Sequence, residues 1–366
     1  MILTSRKTAL AGLATLGVSA LVLAGCSAAP TSSTTTKAAS KFLPCMVSDS
    51  GGFDDHSFNE LGKNGLDDAA KALGVKPIAV ESKSDSDYAP NIDSLLSQGC
   101  DLIVTVGFNL SAASLAAAKA NPDTKFAIID DAADANFDGK VDEPNIKPIL
   151  FDTAQSAFLA GYAAASYSKA GKVATWGGMN FPTVTIFMDG FAQGVAYYNK
   201  EKSKSVEVLG YDPANPGAAT FTGGFEANDA AKTVAKNFID QGADVLLPVG
   251  GPIYQSAVAA IQDSGKDDVL VGVDADLFVT DPTTDALVLT SVEKGIESAT
   301  KNVIEDAAGG DFNNTGYIGT LKNDGVGLAP FHNFKSKVDS GLQGELDKIK
   351  ASIISGDLKV TSYLNK

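Results

Sequence analysis

Short runs of apolar residues alternate with longer amphipathic stretches along this chain from about residue 42. In its first half the pattern predicts strands at 43–48, 78–80, 102–106 and 126–129, with helices between them. Strands that are apolar throughout and alternate with helices are typical of parallel sheets covered on both faces. The pattern therefore predicts an α/β fold with a doubly wound parallel sheet.

The alternation stops at 130–148 and then starts again. Further strands are predicted at 149–151, 172–176, 206–211, 245–249, 269–273 and 287–291, and a last helix at about 336–355. The two halves have similar lengths, and 366 residues are enough for two such units. We therefore expect two α/β lobes.

The beginning of the chain does not share this pattern. An apolar run at 9–24 follows two basic residues and is shorter than the roughly 20 residues of a spanning helix, as in a secretory signal. It ends in Leu23-Ala24-Gly25-Cys26, which resembles the bacterial lipobox, whose cysteine is diacylated. We expect 1–25 to be a signal peptide and 26–41 a flexible tether on a lipid-modified Cys26. An ordinary signal with a chance cysteine is the alternative.

The charge of the chain excludes several kinds of partner. Asp and Glu outnumber Lys and Arg by 44 to 29, a formal net charge of −15. Such a chain lacks the cationic footprint that nucleic acids and anionic lipid surfaces require. Two His and three Cys leave few residues for a zinc site or His-based catalysis, and the sequence has no nucleophile-elbow or phosphate-loop motif. We expect neither an enzyme nor a cofactor.

Two cysteines remain beyond Cys26, each at the start of a predicted strand. Export would place Cys45 and Cys100 where a disulfide can persist. In a doubly wound sheet their strands would be neighbours, with both cysteines at the same end. A Cys45–Cys100 disulfide is therefore predicted, with two buried thiols as the alternative.

Candidate ligand-binding residues follow the predicted strands. Open α/β sheets bind ligands beyond the carboxyl ends of their strands, and two facing lobes would form a cleft there. Aromatic rings can stack on a planar ligand, and amides and carboxylates can bond to its polar groups. The candidates are Asp49, Phe58, Asn59, Gly107, Phe108, Asp130, Phe187, Gly250, Asp274 and Lys294. Structural roles are the alternative: Phe58 could cap the core, Ser57 could cap the next helix, and lone carboxylates often cap turns.

Residues 51–59, Gly-Gly-Phe-Asp-Asp-His-Ser-Phe-Asn, match the signature G-G-x-x-D-x-S-F-N, and weaker matches follow at 126–130, 157–162, 187–195, 272–276 and 290–294. These segments resemble the basic-membrane-protein family, which comprises purine-nucleoside-receptor-like substrate-binding lipoproteins of ABC transporters. The resemblance covers about 43–366. It implies a type I periplasmic-binding fold with two lobes around a ligand cleft.

The resemblance also implies roles for the candidate residues. Phe58 and Phe187 would sandwich a purine, and Asn59 and Asp130 would bond to the edge of the base. Two aspartates follow the fourth strand, so Asp131 is the alternative to Asp130.

The remaining candidates would contact the sugar or line the cleft. By resemblance, Asp274 and Lys294 would hold ribose hydroxyl groups, and Asp49 and Gly250 would line the cleft. This chain departs from the family at His56, where Lys or Arg is usual, and around Gly250, where further glycines are usual.

Three other features have open interpretations. Residues 134–142 match the first half of a calcium loop, with Asp134, Asn136 and Asp138 as weak candidate Ca²⁺ ligands, but an Asx-rich loop is favoured. Trp176 is expected in the core or in a cleft wall, and 217–224 in a surface loop.

The sequence predicts one lobe from 42–152 and 275–312 and the other from 153–274 and 313–366. We expect a monomeric, lipid-anchored receptor on the extracytoplasmic face of the cell membrane. It would bind a purine nucleoside, deliver it to ABC permease subunits and bind no nucleic acid. A receptor for a sugar or another small metabolite and a sensory or adhesion lipoprotein are the alternatives.

Overall fold

The computed structural model describes residues 41–365. The predicted signal peptide, Cys26 and all but the last residue of the predicted tether lie outside the described residues. Within them, no helix combines the length and the apolar composition that crossing a membrane requires.

The strands are numbered along the chain. They are β1 Pro44–Val47, β2 Ile78–Val80, β3 Leu102–Val106, β4 Lys125–Ile129, β5 Ile146–Phe151, β6 Lys172–Gly177, β7 Glu207–Leu209, β8 Val245–Val249, β9 Val269–Asp274, β10 Val288–Lys294, β11 Tyr317–Gly319 and β12 Val326–Leu328. The helices are α1 Phe58–Leu73, α2 Tyr88–Ser97, α3 Ser111–Ala120, α4 Ala154–Tyr167, α5 Pro182–Lys202, α6 Asp229–Asp240, α7 Ile253–Ser264, α8 Leu277–Thr280, α9 Ile296–Gly309 and α10 Leu342–Ser355.

These strands form two six-stranded sheets. The first has the order β11-β5-β4-β3-β1-β2, and the second has the order β12-β10-β9-β8-β6-β7. Pairing is parallel except for β12, which runs antiparallel to β10. Strands β1, β3 and β8 are buried along their whole length because helices cover both faces. The predicted two-lobed, doubly wound α/β fold is confirmed.

The sheets divide the chain differently from the predicted lobe boundaries. Strand β10 lies within 275–312, which was assigned to the first lobe, yet it pairs with β9 in the second sheet. Strand β11 lies within 313–366, which was assigned to the second lobe, yet it pairs with β5 in the first sheet. The chain thus crosses between lobes after β5, after β10 and after β11. The apolar pattern identifies a buried strand but does not determine which sheet the strand joins.

Glycines allow helices α4 and α5 to pack closely in the second lobe. A Cβ atom at Gly161 would lie 2.0 Å from the carbonyl oxygen of Phe191, and one at Gly194 would lie 2.0 Å from that of Phe158. No larger residue fits at either position without moving a helix. Both glycines belong to segments that carry the family resemblance, so the glycines of these motifs are explained by helix packing.

The predicted disulfide is present and lies in the first lobe. Cys45 is on β1, Cys100 lies two residues before the start of β3, and their Cα atoms are 6.0 Å apart. The two strands are parallel neighbours, which brings their amino-terminal ends together. The expectation drawn from strand order is confirmed.

Trp176 belongs to the core of the second lobe. Its side chain is fully buried and stacks on Phe238, with 5.4 Å between ring centroids. The alternative of a cleft wall is therefore wrong.

Candidate ligand-binding site

The carboxyl ends of strands from both sheets border one cleft with about 560 Å³ of empty space, partly continuous with solvent. All the sequence candidates except Gly107 line it: Asp49, Phe58, Asn59, Phe108, Asp130, Phe187, Gly250, Asp274 and Lys294. Gly107 lies just behind the lining, with φ +103°, and a Cβ atom there would approach the Asp49 carboxylate to 3.0 Å. Its role is to leave room for that carboxylate.

A buried ion-pair network occupies the centre of the cleft. The Lys294 ammonium lies 2.5 Å from Asp130 Oδ2 and 3.2 Å from Asp274 Oδ1. Lys294 ends β10 in the second sheet, whereas Asp130 follows β4 in the first, so the network joins the two lobes. Both aspartates have positive φ, +63° and +69°, a left-handed conformation that aspartate tolerates better than most residues.

Charge in this network is not balanced. Burial lowers the pKa of Lys294, but the two carboxylates outweigh burial and raise it above its ordinary value. Burial raises the pKa of Asp130 to about 6, with Asp274 and Asp131 acting in the same direction and Lys294 against them. One ammonium shared by two carboxylates leaves an excess negative charge and spare acceptor oxygens in the cleft.

The loop after β1 holds a second acidic group, Asp49, in a fixed orientation. Its Oδ1 accepts hydrogen bonds of 2.8 Å from the Gly51 backbone and from Asn59 Nδ2. Asn59 Nδ2 also donates to Asp55, and Asn59 Oδ1 accepts from the Asp49 backbone. The Asn59 amide is therefore engaged by its neighbours, and Asp49 is the member of this pair with a free carboxylate oxygen. Burial raises the pKa of Asp49 to about 6 despite these bonds.

Two aromatic rings from opposite lobes flank the ion-pair network. The Lys294 ammonium lies 5.1 Å from the ring centroid of Phe58 and 5.0 Å from that of Phe187. Phe58 begins α1 in the first lobe, and Phe187 lies in α5 in the second. Because both rings border the same charged group, a planar ligand beside it would contact an aromatic face from each lobe.

The structure also distinguishes the two aspartates that follow β4. Asp130 lines the cleft. Asp131 accepts hydrogen bonds from the Ser111 hydroxyl and the Ala133 backbone, and so holds the following turn against α3. The placement favours Asp130 as the ligand-facing residue.

Sequence reasoning missed part of the cleft wall. The loop expected at the surface, 217–224, is anchored to the end of β6 through Gly177 and leads into Phe225, which lines the cleft. Phe108 from the first lobe contacts Phe181 and Phe225 of the second, with centroids 4.0 and 5.9 Å apart. Glycines around Phe225 were the available signal, but they equally indicate an exposed turn.

The weak calcium candidates form an Asx-rich loop. Asp134 accepts hydrogen bonds from the backbone of Asp138 and Gly139, and Asn136 also accepts from Asp138. Across residues 41–365, no group of three or more His, Cys, Asp or Glu side chains is arranged to hold a metal ion. The structure therefore favours the turn interpretation of this loop.

The two sheets, the three crossings and the polar cleft define a two-lobed ligand receptor. Residues 42–361 match the model of the PnrA-like ABC transporter substrate-binding family, and the chain belongs to that family. It is 28% identical to the ABC transporter nucleoside-binding protein BmpA of Lactococcus lactis, over 98% of this chain and 99% of that protein. It is 29% identical to basic membrane protein A of Borreliella burgdorferi, over 85% and 86%. The resemblance seen in the sequence is confirmed.

Solved structures share the fold. An ABC transporter solute-binding protein from Aeropyrum pernix superposes with a TM-score of 0.76 at 25% identity, covering 88% of this chain and 93% of that one. A transcriptional activator of the comK gene from Bacillus halodurans has a TM-score of 0.68 at 19% identity, covering 87% and 99%. The second likeness concerns the fold alone, because this architecture serves different functions.

Proposed function

We propose that this protein is a lipid-anchored extracytoplasmic receptor of an ABC importer and that it binds a purine nucleoside in the cleft. The observation that carries the proposal is the pair of rings, Phe58 and Phe187, that flank the buried Lys294 network from opposite lobes. A base stacked between them would engage both lobes at once and favour their closure. Ligand binding without chemistry matches a family of substrate-binding proteins.

The polar groups of the cleft suit an uncharged ligand with several donors. Asp49, Asp55, Asp130 and Asp274 line the cavity with a single lysine. Carboxylates accept hydrogen bonds from ribose hydroxyls and from N–H groups of a base, whereas this excess negative charge disfavours a phosphate. The relative from Lactococcus lactis is named for nucleoside binding, which supports the same ligand class.

The lipid anchor is supported by the sequence around Cys26. Acyl chains on that cysteine would hold the receptor at the membrane, where permease subunits receive the ligand. Cys26→Ser should move the protein from washed membranes to the soluble fraction. Equal retention of the variant on membranes would contradict the anchor.

The ligand class is tested by calorimetric titration with inosine, guanosine, adenosine, free bases, ribose and hexoses. We expect binding of at least one purine nucleoside and weaker or undetectable binding of ribose. Phe58→Ala should weaken that binding by about 10- to 100-fold, as loss of a base-stacking ring does elsewhere. Phe137→Ala is the matched control because its ring is 90% exposed, and it should leave the affinity unchanged.

Binding of sugars without nucleosides would overturn the proposed ligand and leave the receptor class intact. Absence of binding by folded, ligand-free protein across the whole panel would favour a sensory or adhesion role instead.

A further inference from the structure

The residue that caps the amino-terminal end of α1 is not the serine that directly precedes the helix. Serine directly before a helix usually accepts hydrogen bonds from the first exposed backbone N–H groups. Here the Asp55 carboxylate takes that role: it accepts from the backbone N–H groups of Ser57, Asn59 and Glu60 at 2.9–3.1 Å. The Ser57 side chain makes no capping bond. Its hydroxyl is therefore available for another partner.

That partner lies in the other lobe. Ser57 Oγ lies 3.1 Å from the carbonyl oxygen of Val273 and 3.3 Å from Asp274 Oδ2, at the end of β9 in the second sheet. Ser57 and Asp274 are both buried. A hydroxyl has one proton, so the two acceptors share a single donor. This hydrogen bond joins residues more than two hundred positions apart and exists only while the lobes are together.

The bond also bears on a ligand-facing group. Asp274 Oδ1 lies 3.2 Å from the Lys294 ammonium, and Oδ2 faces Ser57. Its backbone is in the left-handed region, φ +69°, so the surrounding contacts must hold it there. Without the hydroxyl, one carboxylate oxygen in the buried network would lose its donor.

We propose that Ser57 is a positioning residue that orients the Asp274 carboxylate and stabilises the closed arrangement of the lobes. This rests on the proposed ligand-binding function of the cleft. Because the bond forms only in the closed state, it retains bound ligand and has little effect on ligand entry. Asp55 makes this possible by capping α1 in place of Ser57.

The kinetic test compares Ser57→Ala with Ser114→Ala, using inosine as the probe and measuring association and dissociation rates. Ser114 is the matched control because its buried hydroxyl bonds at 2.8 Å to Thr105 within the first lobe. Ser57→Ala should raise the dissociation rate about 5- to 20-fold, with association changed less than about threefold. Ser114→Ala should change both rates less than about twofold. Unchanged dissociation in Ser57→Ala, or equal changes in both variants, would overturn the proposal.

A second measurement needs no ligand. Spin labels at the exposed helix positions Lys71 in the first lobe and Asn237 in the second report the distance between lobes. Ser57→Ala should shift this distance distribution toward longer values, whereas Ser114→Ala should not. Identical distributions in wild type and Ser57→Ala would refute the positioning role. If wild-type protein binds no nucleoside, the proposed ligand fails, and the lobe distance alone decides the role of Ser57.

Discussion

Two aspartate-rich loops of the first lobe, 49–55 and 134–142, contain the same residue types but differ in role. The first loop lines the ligand cleft, and the second is an exposed turn. Each follows a strand, contains glycine at a turn, and has carboxylates that accept backbone N–H groups of the same loop. In the first loop Ser50, Gly51 and Asp54 are exposed, but Asp55 is buried and Asp49 lines the cleft, and burial raises the pKa values of both carboxyl groups. In the second loop Asp138, Lys140 and Phe137 are exposed. Local hydrogen bonding does not distinguish a binding loop from a turn, whereas burial of the carboxylates at the cleft does.

The largest expected contrast comes from removing a lysine at each place. Lys294→Met would leave two buried carboxylates without their cation, and we expect the free energy of unfolding to fall by roughly 3–5 kcal/mol. Lys140→Met on the exposed loop should change it by less than about 0.5 kcal/mol. Urea denaturation at neutral pH measures both. Similar decreases in the free energy of unfolding in the two variants would show that the buried ion pairs of Lys294 stabilise the protein no more than the exposed Lys140 does.

A smaller contrast concerns the pH dependence of stability. With a pKa of about 6 in the folded state against 3.8 ordinarily, Asp49 binds its proton more tightly in the folded protein. Its contribution is favourable at low pH and is lost as pH rises from about 4 to about 6. The free energy of unfolding of Asp49→Asn should therefore be higher than that of wild type by about 1–3 kcal/mol at pH 7.5, whereas the two should differ little at pH 4.

Phe137→Ala on the exposed loop is the control for this titration because it removes no ionisable group. The difference in the free energy of unfolding between this variant and wild type should be the same at both pH values. If Asp49→Asn also showed a constant difference between pH 4 and 7.5, the raised pKa of Asp49 would be refuted.

The smallest effect is expected at the tip of the exposed loop. Phe137 has φ +59°, a conformation that asparagine tolerates better than phenylalanine. Phe137→Asn should raise the free energy of unfolding by about 0.5 kcal/mol and leave nucleoside affinity unchanged. Phe137→Ala removes the same ring but keeps the unfavourable backbone, so it should show no such gain. If both variants were more stable than wild type, the exposed ring and not the backbone conformation of Phe137 would be the source of the instability.

Much of the site was predictable because its residues follow strands. Asp49, Asp130 and Asp274 each come at or just after the carboxyl end of a buried strand, and parallel sheets bring these ends to one edge. The disulfide followed from the same reasoning about neighbouring strands. The segments with glycines in α4 and α5 also stood out, but the reason for those glycines is helix packing, which a motif does not reveal.

Other assignments needed contacts between distant parts of the chain. Phe225 lines the cleft because its loop is anchored on β6, and nothing in its local sequence distinguishes that loop from a solvated turn. Asn59 lies in the predicted place, yet its amide is engaged by two aspartates. Capping of α1 was the alternative role considered for Ser57, but its hydroxyl bonds across the cleft instead.

The amino-acid sequence alone predicted the two α/β lobes, the family, the disulfide and half of the residues that line the cleft. These properties depend on short-range patterns, namely the apolar periodicity of strands and helices and the residues at strand ends. Only the tertiary structure decided which sheet β10 and β11 join, which aspartate faces the cleft and which serine links the lobes. Those outcomes depend on pairing and burial between segments far apart in the chain, and their energies arise only when the two lobes come together.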